Sequence, residues 1–138
     1  MIPDEYADDE RGFEACDLPP GRFRHLHHVL VTWHYARTRE PLAGLSELIE
    51  RLRAFSAAQG VPDRYHETVT YAWFFLVRER LERTGRDAPW EAFAEANPDL
   101  LDGTAVERYY KRETLYEDPF ARRVFVLPDR PLEEDPPS

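Results

Sequence analysis

The chain has 138 residues, of which 42% are hydrophobic and 13% aromatic, and its formal net charge is −9 at pH 7. A chain of this length fits one domain and can bury a core without disulfides or a structural metal. Its single cysteine, Cys16, excludes an intramolecular disulfide, and its acidity argues against nucleic acid as a partner, because phosphate binding depends on clustered lysine and arginine.

The two ends of the chain differ from the middle in composition. Residues 1–20 are acidic and end in Pro19-Pro20, so we expect a mobile or extended segment there. Residues 128–138 are rich in proline and acid, which predicts a tail without regular structure. No apolar run approaches the roughly 18 residues that span a bilayer, and the acidic start differs from a signal peptide. We therefore expect no membrane partner and a cytoplasmic location.

Residues 21–127 are predicted to form a helical domain. The first helix covers about 22–38 and stops before Pro41, because proline disfavours helix in the residue ahead of it. The second covers about 41–60, where apolar residues recur at helical spacing. The third covers about 62–83, with Pro62 in its first turn.

Shorter elements are predicted towards the C-terminus, where helix-capping patterns and prolines recur. Thr104 followed by Glu107 has the form of a capping box. The predicted elements are a helix from Pro89 that carries Trp90 and Phe93, a helix from Thr104 to Tyr110, a helix opened by Asp118-Pro119, and an extended strip over 124–127. Short connections favour antiparallel neighbours, so the predicted fold is all-α: a small antiparallel helical bundle with short C-terminal helices and disordered acidic termini.

Histidine is unevenly distributed along the chain. Four of the five histidines, at positions 25, 27, 28 and 34, fall in one ten-residue stretch of the first predicted helix. On a helical wheel, His25 and His28 lie beside the apolar stripe, whereas His27 and His34 fall on the solvent side. His66 lies within the apolar stripe of the third predicted helix. Three imidazoles, those of His25, His28 and His66, are therefore predicted to point inward between two helices.

Three inward imidazoles suggest a metal site. Imidazole is a common ligand of zinc, copper and ferrous iron, and three such ligands leave positions open for water or substrate. The predicted ligands of one divalent metal (Fe, Zn or Cu) are His25, His28 and His66. The predicted catalytic residues are His66 and Glu67. The predicted substrate-binding residues are Trp33, Trp73, Tyr109 and Tyr110, for which packing in the core is the alternative. No phosphate-binding loop or dinucleotide motif occurs, so no nucleotide cofactor is expected.

Other interpretations of the same residues stay open. The histidines could act as acids or bases without a metal, with Glu67 as an orienting carboxylate or simply as a surface partner of a nearby arginine. They could also be core histidines satisfied by threonine or tyrosine hydroxyls. The functional hypothesis is an enzyme of small-molecule metabolism, such as a tailoring step, and the alternative is a non-enzymatic module that binds a small ligand or another protein.

Several segments also form a recognisable series. The segments FRHLHHVLVTWHY, YHETVTYAW, ERYY and ARRVFVLPD together resemble small bacterial all-helical proteins that share His-x-x-His, Tyr-His-x-Thr and Phe-Val-x-Pro-Asp patterns. The resemblance covers most of the helical domain. It implies a helical fold and draws attention to His25, His28 and His66, but it implies no particular activity.

Overall fold

The computed structural model describes residues 2–18 and 23–131, and this part of the chain is all-helical, without strands. The prediction of an all-α fold is confirmed. The α-helices are α1 (Asp4–Glu14), α2 (His25–Thr38), α3 (Pro41–Ala58), α4 (Glu67–Thr84), α5 (Trp90–Ala96), α6 (Pro98–Leu101), α7 (Arg112–Tyr116) and α8 (Pro119–Arg123). Two 3₁₀ helices cover Pro62–Arg64 and Ala105–Arg108.

Helices α2, α3 and α4 form the framework. Helix α3 runs antiparallel to both others, since Gly44 near its start lies against Phe74 in the middle of α4 while Arg53 near its end pairs with Glu67 at the start of α4. A Cβ at Gly44 would lie 3.1 Å from the carbonyl oxygen of Tyr35. Glycine at this position therefore allows α3 to approach α2 closely.

Helix α2 is the centre of the core. Its buried residues occupy almost every direction around the helix: Val29, Leu30, Val31, Thr32, Trp33, Tyr35 and Ala36. Hence α2 packs against α3 and α4, and also against the N-terminal and C-terminal helices. A helix that is apolar on most sides is typical of a buried position.

Residues 4–14 correct the prediction of a mobile N-terminal segment, because they form α1. Phe13 of α1 is 0% exposed and stacks on Phe23 at 4.5 Å between ring centroids. Asp9 accepts a hydrogen bond from Nε2 of His27, at 3.0 Å. Asp9 and Glu10 of α1 thus face His27 and His34 of α2, and His27, which we placed on the solvent side, is covered. Residues 19 and 20 lie outside the described part.

The start of α4 also differs from the prediction. Pro62 opens only a short 3₁₀ turn, Tyr65 and His66 are extended, and α4 begins at Glu67. His66 is therefore the N-cap residue of α4, not a member of its apolar stripe. Its side chain supplies the acceptor that a helix N-terminus requires.

The C-terminal elements follow the predictions in part. Helix α5 carries Trp90 and Phe93 as expected, and Asp118 caps α8 by accepting from the Phe120 N–H at 2.9 Å. The capping box at Thr104 is wrong: its hydroxyl donates to Asp102, and a 3₁₀ turn follows. Helices α6 and α7 were not predicted.

Residues 124–131 carry no helix and pack along the bundle. The Val126 N–H donates to the Thr68 hydroxyl at 3.1 Å, and the Tyr110 hydroxyl donates to the Val126 carbonyl at 2.8 Å. The extended strip over 124–127 is therefore confirmed. The predicted tail from 128 onward is only partly described, because residues 132–138 lie outside the described part. None of the described helices is both long and apolar enough to cross a membrane.

Candidate functional site: a histidine-lined cavity

A cavity of about 700 Å³ lies between α2, α3 and α4. This volume falls within the roughly 300–1,000 Å³ that is usual for small-molecule pockets. Most of its wall is apolar, as such pockets generally are. The aliphatic and phenyl side chains of the wall are Phe23, Val29, Leu48, Leu52, Phe55, Val61, Val69 and Val77.

The three predicted inward histidines all line this cavity, together with Trp73. The structure thus brings His25 and His28 of α2 and His66 of the α4 cap to one space, as the sequence predicted. The three rings nevertheless differ in how their nitrogens are used.

His25 is engaged at one nitrogen. Its Nε2 lies 2.8 Å from the carbonyl oxygen of Leu100, and because a carbonyl only accepts, Nε2 carries the proton and donates. The ring also packs edge-on against Trp73 at 4.9 Å. His25 therefore ties the start of α2 to α6 while forming part of the cavity wall.

Both nitrogens of His66 are engaged. Nδ1 accepts from the Val69 N–H at 3.1 Å, and Nε2 donates to the Leu115 carbonyl at 2.9 Å. No ring lone pair is left for a metal, since one is used as the cap acceptor and the other nitrogen is protonated. Burial and the nearby Arg122 lower the pKa of His66, which keeps the ring neutral at pH 7.

The predicted three-histidine metal site is therefore not formed by these residues. Within residues 2–18 and 23–131, no group of three histidine, cysteine, aspartate or glutamate side chains is placed to hold a metal ion. Metal-bound histidine needs a free ring lone pair, and the capping role of His66 removes it. The residues that are present do not fit the expected iron, zinc or copper ion.

His28 is the unengaged histidine of the cavity. No described residue hydrogen-bonds to its ring, which contacts Phe23 edge-on at 4.4 Å. Protein surrounds the ring, but the surface of His28 that stays exposed opens onto the cavity, which is only partly enclosed. Burial, reinforced by neighbouring His25 and His27, lowers the pKa of His28 to about 4. At pH 7 the cavity therefore holds a neutral imidazole with one free donor and one free acceptor.

Three hydroxyl groups of the wall, those of Thr32, Tyr65 and Thr70, already donate within the protein. Thr32 donates to the His28 carbonyl at 2.6 Å, and Thr70 donates to the His66 carbonyl at 2.8 Å. The Tyr65 hydroxyl donates to Glu67 at 2.7 Å. Because these hydroxyls are engaged, the methyl groups and ring faces of the wall are the main surface that a ligand would contact.

Glu67 lies outside the cavity wall. One carboxylate oxygen accepts from Tyr65 and the other pairs with Arg53 at 3.0 Å. Its position corrects the prediction of a catalytic Glu67, because both oxygens are engaged away from the cavity. The alternative that it is a partner of a surface arginine fits the structure.

Three of the four predicted substrate-binding residues lie elsewhere. Trp33 is fully buried against Trp90 at 5.5 Å between centroids. Tyr110 is buried beneath Val126, and Tyr109 accepts at its carbonyl from the Arg130 N–H. None of these lines the cavity, and the packing alternative fits the structure: Trp33 and Tyr110 are core residues, and Tyr109 packs against the core.

Sequence reasoning missed the contributions of α3 and α8. Ser56 and Gln59 of α3 line the cavity, as do Arg64 of the 3₁₀ turn and Arg122 of α8. The apolar spacing of α3 indicated a packed face but not that the face was only partly covered. Arg122 carries no local signal, because α8 reaches the cavity only through the tertiary fold.

No protein-family model, curated protein or solved structure matches the chain. The resemblance described above therefore depends only on the quoted segments.

Proposed function

We propose that the protein binds a small, predominantly apolar molecule in the cavity between α2, α3 and α4. The observation that carries this proposal is a mainly apolar space of about 700 Å³ whose wall includes the ring of His28, to which none of the described residues hydrogen-bonds. Filled pockets bury most of the surface of a ligand and use a few polar groups to orient it.

His28 is suited to recognition. A neutral imidazole offers one N–H donor and one nitrogen acceptor, so it pairs with a hydroxyl, amide or carbonyl group of a ligand. A hydrogen bond between His28 and such a group contributes about 0.5–1.5 kcal/mol net, and it selects ligands that carry the matching donor or acceptor.

Binding accounts for the site better than acid–base catalysis does. An efficient general base has a pKa near the working pH, whereas the pKa of His28 is lowered to about 4. His66 is fully engaged and Glu67 faces away from the cavity. A ligand-binding module therefore becomes the preferred function, ahead of the metal-dependent and metal-free enzymes.

The proposal is tested with N-phenyl-1-naphthylamine, a neutral apolar dye whose emission rises when it leaves water. We expect saturable binding of one dye per chain. Leu52→Trp fills the cavity from α3 and should weaken binding by about tenfold or more, equivalent to about 1.4 kcal/mol. Leu42→Trp is the matched control on the same helix, because Leu42 is 76% exposed and lies outside the cavity wall.

Ser56→Phe is a second cavity-filling change, to be used if Leu52→Trp disturbs the fold, which thermal unfolding followed by circular dichroism reports. Non-saturable dye binding, or equal binding by the cavity-filled and control variants, would reject the proposal.

A further inference from the structure

We infer that the ligand is an amphipathic organic anion whose charged group is received by Arg122 and Arg64 at the cavity wall, an inference that rests on the proposed ligand-binding function. The ligand class combines an apolar body with a carboxylate-like or sulfonate-like group. Both arginines line the cavity beside the apolar wall.

Arg122 is held in place but retains free donors. Its Nη1 donates to the Asp63 carbonyl at 2.8 Å and lies 3.4 Å from the Arg64 carbonyl. These are backbone acceptors, and they leave the charge of the guanidinium uncompensated. Among the described ion pairs, Arg122 and Arg64 have no carboxylate partner, whereas Arg39, Arg53 and Arg80 do.

The cavity wall is free of negative charge. The chain has 27 acidic and 18 basic residues, yet no acidic residue of the described part lines the cavity. Glu67, behind Tyr65, is neutralised by Arg53. Asp118, near His66, is turned to its own helix as the cap of α8. Because the wall carries two arginines and no acidic residue of the described part, the potential in the cavity is locally positive although the whole chain is acidic.

A partly enclosed, low-dielectric cavity strengthens that potential. Field lines are focused in clefts with apolar walls, which favours entry of an oppositely charged ligand. The planar guanidinium group forms paired hydrogen bonds with two oxygens of one anion. Neutral His28 carries no charge, so the two arginines determine the sign of the electrostatic potential in the cavity.

The experiment compares two dyes with one skeleton. 8-Anilino-1-naphthalenesulfonate carries a sulfonate that N-phenyl-1-naphthylamine lacks. We expect the protein to bind the sulfonate about tenfold more tightly, a preference that falls as sodium chloride is raised. Arg122→Gln should remove most of this preference, which is measured as the ratio of the dissociation constants of the two dyes, and Arg64→Gln should remove part of it.

Arg123→Gln is the charge-matched control. Arg123 is the neighbouring residue on α8, is exposed, and does not line this cavity, so its variant should keep the sulfonate preference. Equal loss in Arg122→Gln and Arg123→Gln, or an unchanged preference in Arg122→Gln and Arg64→Gln, would overturn the inference. Saturable binding of the neutral dye in either case leaves the proposed function standing, whereas failure to bind both dyes rejects the function itself.

Discussion

The three histidines of the cavity differ in the hydrogen-bond partners of their ring nitrogens. His25 donates to a carbonyl and packs on Trp73, His66 caps a helix and donates to Leu115, and His28 has no described ring partner. The partner of each nitrogen, rather than its direction on a wheel, decides what an imidazole can do. Only His28 has both nitrogens left for a ligand.

His66 is predicted to be structural. Replacing it with alanine removes the N-cap of α4, worth about 0.5–2 kcal/mol, and leaves the Leu115 carbonyl without its donor, at about 1–3 kcal/mol. We expect His66→Ala to lower the free energy of unfolding by about 2–4 kcal/mol, as measured by urea denaturation. His66→Asn keeps a capping side chain and should lose about half as much.

The same variants distinguish capping from metal binding. A structural His66 leaves the melting temperature of the wild-type protein unchanged when zinc is added. A zinc-dependent rise that His66→Ala abolishes would restore the metal site and contradict the capping role.

These residues also mark what sequence could not supply. Helical spacing predicted that His25 and His28 point inward, and both residues line the cavity. The role of His66 depended on whether α4 begins at Pro62 or Glu67, and helix boundaries are the least certain part of sequence interpretation. Trp33 was misplaced because α2 is buried on nearly all sides, so a wheel cannot tell its core faces from its cavity face.

Among the helices, α1 packs against both α2 and α3. Its Phe13 stacks on Phe23 and lies 5.3 Å from Phe55 between centroids, and both of these rings line the cavity. Arg51 donates to the Glu14 carbonyl at 3.0 Å, which anchors α1 to α3. The acidic composition of this segment concealed the helix, because two of its carboxylates, those of Asp9 and Glu10, pair with His27 and His34 of α2 only in the folded chain.

Phe13→Ala tests whether α1 supports the cavity wall. Truncation of a fully buried phenylalanine costs about 3–5 kcal/mol, which urea denaturation measures. Because Phe23 and Phe55 lose their backing, binding of N-phenyl-1-naphthylamine should weaken as well. The control is Phe75→Ala on α4, since Phe75 is 45% exposed and should lose less than about 1 kcal/mol. Unchanged dye affinity in a folded Phe13→Ala variant would exclude a supporting role.

The framework helices were the predictable elements. The apolar spacing of α3 and the position of Pro41 predicted the bounds of α2 and α3 closely, because local apolar periodicity determines helix formation there. Helices α6 and α7, each five residues or shorter, have too few turns to show a period. Their positions depend on long-range contacts such as that of His25 with Leu100.

For the whole molecule, buried titrating groups set opposing responses to pH. The pKa values of His28, His34 and His66 are lowered chiefly by burial, that of His28 to about 4 from an ordinary 6.5. Below pH 6.5 the unfolded chain binds more protons at these histidines than the folded protein does. These groups therefore lower the free energy of unfolding as the pH falls. Burial, with help from Glu14, raises the pKa of Glu10 to about 7. Glu10 therefore stabilises fully below its unfolded pKa of 4.5 and loses this contribution as the pH rises through 7.

The two effects have opposite signs and can be separated by variants. Urea midpoints measured between about pH 5 and 6.5 avoid most ordinary carboxyl titration. In this range His28→Asn should make the fall in stability on acidification shallower than in the wild type. Glu10→Gln, which fixes the protonated form and removes the opposing contribution, should make it steeper. If both variants kept the wild-type slope, His28 would be freely hydrated in the cavity and Glu10 freely ionised against α2. That outcome would contradict the low-dielectric character of the cavity, on which the proposed ligand recognition depends.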